Sequence, residues 1–417
     1  MSPRPSHALA LKRFRSRFAP NPNPFARCNS VAALKFGAFD LNVLTMQSTY
    51  VLRYGGLAEV KFRDAFEKLG WEELDDDDSV SQARPGLILQ PHTRIDWSLV
   101  LDGKLPVIIC GSYPVRTALV RKDVLARTLE SNSSLKGHFP KSVIVGETSH
   151  FSAVQFPFPW FMKVPSANNA TGLHIVRDMG EAHSVFLDCT TKGNCKALVV
   201  QEFIGRGGDS PTLFLHQGRK FHARVNVLAV SACAVYVHRD VVCHVACEDY
   251  VGTSGGIFSH ITNHVLQRKH TGYLREKSTL LHSEVFGEDS ESVFVSLCEL
   301  TTRLFGTVVS GKTLRWTPLH PLPPSPDSGE TLHAFLPAPN CFEVFGFDVL
   351  FVERKGESVH PILIEVNAGP ALEGLALPTL CSRVTSDIVE LVCGGITEFG
   401  WSTPPIPTAS NGFLRVM

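Results

Sequence analysis

The stretch Ile362–Ala371, "ILIEVNAGPA", reads as a buried strand broken by two polar side chains. Ile362, Leu363, Ile364 and Val366 suit an apolar core, whereas Glu365 and Asn367 do not. Strand side chains alternate, so Glu365 and Asn367 share one face. A carboxylate beside an amide on an apolar strand is costly unless something pairs with them. The sequence offers a companion in Asp348, which stands in the middle of the equally apolar "FGFDVLF". A turn at "RKGES" makes the two runs an antiparallel pair and lets Asp348 approach Glu365 and Asn367. Two carboxylates and an amide oxygen are hard ligands suited to Mg²⁺, which also keeps waters and takes substrate phosphates. Either acid alone is better explained as the partner of a Lys or Arg. The three together on one hairpin point to a metal–nucleotide site.

Composition narrows the class. The chain has 417 residues, 44% of them hydrophobic and 19% charged, which is the profile of a globular protein with a large core. Lys+Arg 40 balances Asp+Glu 40, so global charge argues for neither nucleic acid nor a membrane surface. No uninterrupted apolar run reaches the roughly 18 residues of a spanning helix. Eleven cysteines without a CxxC pair suit a reducing compartment. "CHVAC" (Cys243, His244, Cys247) lacks a second Cys/His pair and reads as apolar strand cysteines. The first 39 residues hold no acid but carry Arg4, Lys12, Arg13, Arg15, Arg17, Arg27 and Lys35. A disordered basic arm accounts for this composition, which a mitochondrial transit peptide shares.

Patterning gives an α/β (α+β) order. A basic leader occupies 1–47. An N-terminal α/β domain over 48–130 begins with the strand "STYVLRYGG" and a helix carrying Ala58, Phe62, Ala65, Phe66 and Leu69 at helical spacing. It continues with strands "GLILQ" and "LPVIIC" and the helix Ala118–Glu130, with the acidic run Asp75–Asp78 as a solvated loop. A central domain over 131–205 holds short strands separated by Asn/Gly-rich loops. A C-terminal domain over 206–397 opens with the antiparallel pair "RKFHARVNVLAV" and "ACAVYVHRDVV", and ends with the helix "TLCSRVTSDIVELVC". A Pro-rich surface insertion falls near 317–340, and 398–417 is a Pro-rich tail.

A nucleotide also needs cations. Lys163 in "FMKVP" precedes the loop "SANNATG", and Lys122 and Lys220 are further candidates. "GTSGG" matches the nucleophile-elbow spacing without its strand and helix, and "GRGGD" matches no phosphate-binding fingerprint.

Together "RKFHARVNVL", "VYVHRD", "HITNHVLQ", "FGFDVLF" and "LIEVNAGPA", with "LVRKDVLARTLE", "FPKSVIV" and "LVVQEFI", resemble the tubulin–tyrosine ligase family from about Tyr50 to Gly395. The resemblance implies an ATP-grasp fold. It assigns Mg²⁺ to Asp348, Glu365 and Asn367, ATP phosphates to Lys122, Lys163 and Lys220, and adenine to the hinge Gln201, Glu202, Phe203 and Ile204. Arg224 and Arg239 would hold substrate carboxylates, with Thr262 and Asn263 beside them. The implied chemistry is ATP-dependent ligation of a free amino acid to the acidic C-terminal tail of tubulin through an acylphosphate. Tyrosine is the expected donor and glutamate the alternative. A monomeric cytoplasmic enzyme acting on the cytoskeleton is expected, with no nucleic acid or membrane partner. Three departures bear on that chemistry. His222 replaces the usual acid, His244 replaces an arginine of the tyrosine-adding type, and His174 stands at a usual glycine. A ligase-like protein that only binds tubulin or nucleotide is the competing expectation.

Overall fold

A short parallel sheet comes first among the described residues. The computed structural model describes residues 48–53, 56–74, 86–101, 107–167, 171–192, 195–310, 335–353, 359–369, 378–397 and 400–417. The basic leader, the acidic run, the turn 354–358, the insertion as far as residue 334, and Pro370 with Ala371 lie outside these residues.

Strands β1 (Thr49–Leu52), β2 (Glu72–Glu73), β3 (Leu87–Leu89) and β4 (Ile109–Cys110) align in the order β2-β1-β3-β4. Helix α1 (Gly56–Lys68) crosses between β1 and β2 and buries Ala58, Phe62, Ala65 and Phe66 as one stripe. Leu69, which the sequence pattern adds to that stripe, lies past the helix end and is exposed. After helix α2 (Lys122–Glu130) comes an antiparallel sheet of β5 (Ser142–Val145), β6 (Trp160–Lys163), β7 (Leu173–Val176) and β8 (Leu198–Glu202). Its order is β5-β8-β6-β7, and helix α3 (Met179–Lys192) packs Ala182 and Phe186 onto Trp160, Met162, Leu198 and Val200.

The third and largest sheet is built around β9 (Phe221–Val230). Strands β10 (Ala234–His238) and β11 (Val242–Val245) share one edge of β9, and β12 (Thr279–Leu281) pairs with β11. After helix α4 (Ser290–Val309), β13 (Phe342–Val352) runs along the other edge of β9, and β14 (His360–Ala368) pairs with β13. Helix α5 (Pro378–Cys393) and the small hairpin β15 (Ile396–Thr397) and β16 (Gly400–Trp401) precede β17 (Phe413–Arg415).

Side-chain parity decides what each face of this sheet does. Val225, Val227 and Ala229 of β9 join Phe345, Phe347 and Val349 of β13 and Leu297, Leu304 and Phe305 of α4 in one core. The run His282–Val309 is long and apolar enough to cross a membrane, but α4 buries its apolar stripe on this sheet. Leu228, Val230, Tyr236 and Phe342 face the other way, toward α1 and α5. Further along that second face, apolar residues give way to His222, Arg224 and Asn226 on β9 and Asp348 on β13.

The last residues, read from sequence as a tail, are part of the sheet: β17 pairs with β10 through Tyr236↔Arg415, Val237↔Leu414 and His238↔Phe413. A buried polar contact fixes it. His238 Nδ1 accepts from the Asp240 N–H (3.1 Å), so Nε2 carries the proton and donates to Asp387 Oδ2 (2.9 Å). The same carboxylate oxygen accepts the Gly412 N–H at 3.0 Å. A Cβ on Gly412 would lie 2.5 Å from His238 Nε2 and 2.8 Å from Asp387 Oδ2. Gly412→Ala should therefore lower unfolding free energy by about 1–3 kcal/mol, the usual cost of overpacking. Urea denaturation reads this directly, and an unchanged midpoint would show that the contact does not hold β17.

Candidate functional site

Three adjacent strands set out the site in rows. Arg224, Asp348 and Glu365 are register partners across β9, β13 and β14, and Asn226, Gly346 and Asn367 form the next row. A β-bulge refines this arrangement. Asp348 pairs with Glu365 but Val349 pairs with Leu363, so Ile364 is the extra residue. Leu363 can then join the α4 core while Glu365 and Asn367 stay with Asp348. The Ile364 carbonyl accepts from Lys163 Nζ at 3.4 Å.

Each acid has a cation. Arg224 grips Asp348 with both arms of its guanidinium, Nε to Oδ1 at 2.5 Å and Nη2 to Oδ2 at 3.1 Å. Asn367 Nδ2 donates to Asp348 Oδ2 at 3.2 Å. Lys122, from the start of α2, pairs with Glu365 Oε1 at 3.1 Å and donates to the Ala167 carbonyl at 2.6 Å. It thereby links the candidate phosphate loop to β14. Lys163 donates to Gln201 Oε1 at 2.6 Å. Lys220 Nζ lies 5.4 Å and 5.5 Å from the ring centroids of Phe161 and Phe203, whose rings stack on each other at 4.9 Å.

These groups surround a cleft between the central antiparallel sheet and the β9–β13–β14 face. Phe161, Lys163, Gln201, Glu202 and Ile204 come from one side, and Lys220, His222, Asp348, Leu350 and Glu365 from the other. Thr262 and Asn263 form its rim. Asn263 caps the short helix His264–Gln267 by accepting from the Val265 and Leu266 N–H groups. Phe203 is buried against Phe161, and Arg224 and Asn367 reach the cleft through Asp348.

Arg239 is the exception among the residues assigned from sequence. It follows β10 and turns toward α4, 3.6 Å from Glu291 and with its guanidinium 5.2 Å from the Phe294 ring centroid. That is the opposite face of the sheet from the cleft, so the substrate-carboxylate role assigned to Arg239 is withdrawn. Two further residues escaped the sequence reading. Asn226 continues the period-two polar series His222, Arg224, Asn226, a signal present in "HARVN". His260 lines the cleft and meets Phe203 edge-on at 5.2 Å; it opens the segment "HITNHVLQ", from which the sequence reading took only Thr262 and Asn263.

Burial shapes the electrostatics. It pushes Lys220 down to about 7, helped by Lys163, and Lys163 down to about 8, helped by Lys122 against the pull of Glu365. Burial works against the Arg224 charge, but Asp348 outweighs it and holds Arg224 above the usual arginine value. Asp348 is likewise opposed by burial, yet Arg224 keeps it below the ordinary carboxylate range. Burial depresses His222 and His260 to about 4 and His244 well below its usual value. These imidazoles are neutral near pH 7.

The donor set fits a hard cation. Among the described residues no group of three His, Cys, Asp or Glu is gathered for a metal. An ion here would take Asp348, Glu365 and the Asn367 amide, and complete its shell with water and phosphate oxygens. Both amide atoms of Asn226 and Nε2 of His222 are buried without a partner on this same face, and Nε2 is 3.8 Å from Asp348 Oδ1. Such orphaned polar atoms suit a site that gains partners when a polar ligand binds.

A cleft of this kind, between a four-stranded lid sheet and a larger sheet bearing paired charges, defines an ATP-grasp fold. The solved C-terminal domain of Pby1 from K. lactis, described as an ATP-grasp enzyme interacting with the mRNA decapping enzyme Dcp2, matches with a TM-score of 0.60. The match covers 89% of this chain and 99% of that one at 17% identity. The protein belongs to the tubulin-tyrosine ligase family, whose model matches residues 109–398. A probable tubulin–tyrosine ligase of Schizosaccharomyces pombe is 23% identical over 343 residues, 68% of this chain and 76% of that protein. The tubulin polyglutamylase TTLL11 of Homo sapiens is 25% identical over 292 residues, 63% of this chain, which spans only 38% of that relative's length.

The buried histidines set a pH dependence. Their folded pKa values lie below the ordinary histidine value, so stability is fully present above about pH 6.5 and is lost as pH falls toward 4. For His222 alone the loss is on the order of 3 kcal/mol. Urea unfolding at pH 7 and pH 4.5 should show it, with a shallower dependence in His222→Gln. Equal pH slopes in the two proteins would remove His222 from this account.

Proposed function

We propose that the protein is an ATP-dependent carboxylate–amine ligase that joins a free amino acid to the acidic C-terminal tail of tubulin. The observation that carries this reading is the double row of paired charges, Arg224–Asp348 and Lys122–Glu365, at the floor of the cleft. Adenine would lie beside Phe161 and the hinge Gln201–Ile204. The phosphates would extend toward Lys163, Lys122 and Lys220. Mg²⁺ held by Asp348, Glu365 and Asn367 would neutralise phosphate charge when bound.

The difficulty in this reaction is bringing an anionic carboxylate up to an anionic phosphate. Lys122, Lys163 and Arg224 supply positive charge in a low-dielectric cleft, where it acts more strongly than in water. Phosphoryl transfer from ATP to the acceptor carboxylate gives an acylphosphate and ADP. Attack by the amine of the free amino acid forms the amide and releases phosphate. Burial holds Lys220 down at about 7, and phosphate charge arriving beside it favours the protonated amine. No enzyme nucleophile is required.

The neutral His222 and His244 favour a second reading, in which the cleft binds nucleotide and tubulin without turnover. Incubating the protein with ATP, Mg²⁺, detyrosinated tubulin and labelled Tyr, Glu or Gly separates the two. Incorporation is expected, and Glu365→Gln should reduce it by about a hundredfold or more, the scale of losing one group that stabilises transition-state charge. Undiminished turnover in that variant would sink the metal assignment, and no incorporation by the wild type would favour the second reading. A tubulin substrate would be met in the cytoplasm, which is the compartment this reading requires. A fluorescent fusion should therefore remain there with and without residues 1–45, and mitochondrial signal lost on deletion would assign a targeting role to the basic arm.

A further inference from the structure

The lid sheet ends in an open edge. β7 is the last strand in the order β5-β8-β6-β7, and no strand among the described residues pairs with its outer side. Backbone parity shows what that side offers. Val164 donates its N–H to the Gly172 carbonyl at 2.9 Å, so the hydrogen-bonded partners between β6 and β7 are Met162 with His174 and Trp160 with Val176. Leu173 and Ile175 therefore turn their N–H and C=O groups away from β6. Arg177 is next in this outward series, and its N–H is already held by Glu181 Oε2 at 2.7 Å. The open edge is thus two outward residues long.

A groove of about 490 Å³ runs along it. Residues 173–177 form one wall, and Gly255, Gly256, Ile257 and His260 form the other. The two glycines let a backbone approach that second wall closely. Ile257 is exposed, whereas His260 is 2% exposed, and neither ring nitrogen of His260 has a hydrogen-bond partner among the described residues. The groove is continuous with the cleft described above, because Leu173, His260 and Ile261 line both.

We propose that this edge takes the acceptor chain as an added strand. An extended segment of the acidic tail would pair its backbone with Leu173 and Ile175 and pass its reacting carboxylate into the cleft at the Leu173 end. The inference rests on the ligase reading and adds to it the place and manner of acceptor binding. In sheet addition, main-chain hydrogen bonds supply affinity and alternate side chains supply specificity. Lys163 and Leu173 are register partners, so they share the cleft face of the lid sheet. Every second side chain of the added strand falls on that same face, toward Lys163 and Lys122, which favours a chain rich in carboxylates.

The test uses the full chain with ATP, Mg²⁺, a labelled amino acid and peptides of the tubulin tail. Proline is tolerated on an edge strand where its N–H would face outward, so Ile175→Pro removes the donor offered to the tail and spares the β6–β7 ladder. It should raise KM for the tail about tenfold, the scale of one lost hydrogen bond, with affinity for a non-hydrolysable ATP analogue unchanged. Two tail peptides N-methylated at alternate amides in opposite phase test the edge without altering the protein. One should lose affinity to a similar extent, and the other should bind as the parent does. Unchanged KM in Ile175→Pro, or equal KM for the two methylated peptides, would overturn the added strand while leaving the ligase reading intact. If no amino acid is incorporated, amide hydrogen exchange decides the edge separately. Tail peptide should slow exchange at Leu173 and Ile175 and leave His174 and Val176, already bonded to β6, as they were. Unchanged exchange at Leu173 and Ile175 overturns the proposal. Slowing that appears without peptide and grows with protein concentration would give the edge to a second copy of the chain, which also overturns it.

Discussion

The bidentate pair Arg224–Asp348, buried at the centre of the largest sheet, is the interaction on which the site depends. It ties β9 to β13 side chain to side chain along a pairing that runs from Phe342↔Val230 to Val349↔Ala223. A buried charge stripped of its partner costs about 3–5 kcal/mol, against a typical net stability of about 5–15 kcal/mol for a whole domain. The charges on this face are consequently tolerated as pairs. Arg224 answers Asp348 and Lys122 answers Glu365. A bound cation and its phosphates must offer these carboxylates more than the protein's own cations already do, which favours a ligand bringing both signs of charge.

Neutrality of the histidines belongs to the same electrostatic balance. An acid at position 222 would confront Asp348, since the ring nitrogen now stands 3.8 Å from Oδ1. A neutral imidazole removes that repulsion. Its Nδ1 meets the Thr262 hydroxyl at 2.6 Å, which fastens the rim segment to β9. The departure from the family pattern therefore has a local structural logic. The positive excess of Lys122, Lys163 and Arg224 over Asp348 and Glu365 is left undiminished.

Much of this arrangement is legible in the sequence because strong periodicity leaves few alternatives. Asp348, Glu365 and Asn367 stand out as polar residues on apolar strands, and α1, α2 and α5 follow from helical spacing. Other features leave weaker traces. Ile364 is the same kind of residue as its neighbours, so hydrophobic pattern cannot reveal that it is bulged. Arg239 stands in a turn, and its sequence does not say which face of the sheet it will serve. Helix α4 carries the right spacing in Val293, Leu297, Leu300 and Leu304, but its Ser, Thr and Gly residues weaken the pattern. Strand β17 is three residues long after a Pro-rich stretch, too short to register by alternation. Asn226 was readable, but only alongside His222 and Arg224.

The single extra residue at Ile364 acts as a phase shift in the strand. On its near side Leu363 belongs to the hydrophobic interior, and on its far side Glu365 and Asn367 belong to the cleft, although all three share odd numbering. Residue count, more than residue identity, thus decides which side chains meet the reaction. In the divergence of related chains, substitutions along β14 can tune the cleft by degrees, whereas loss of one residue at the bulge would reassign an entire face of the strand in a single event.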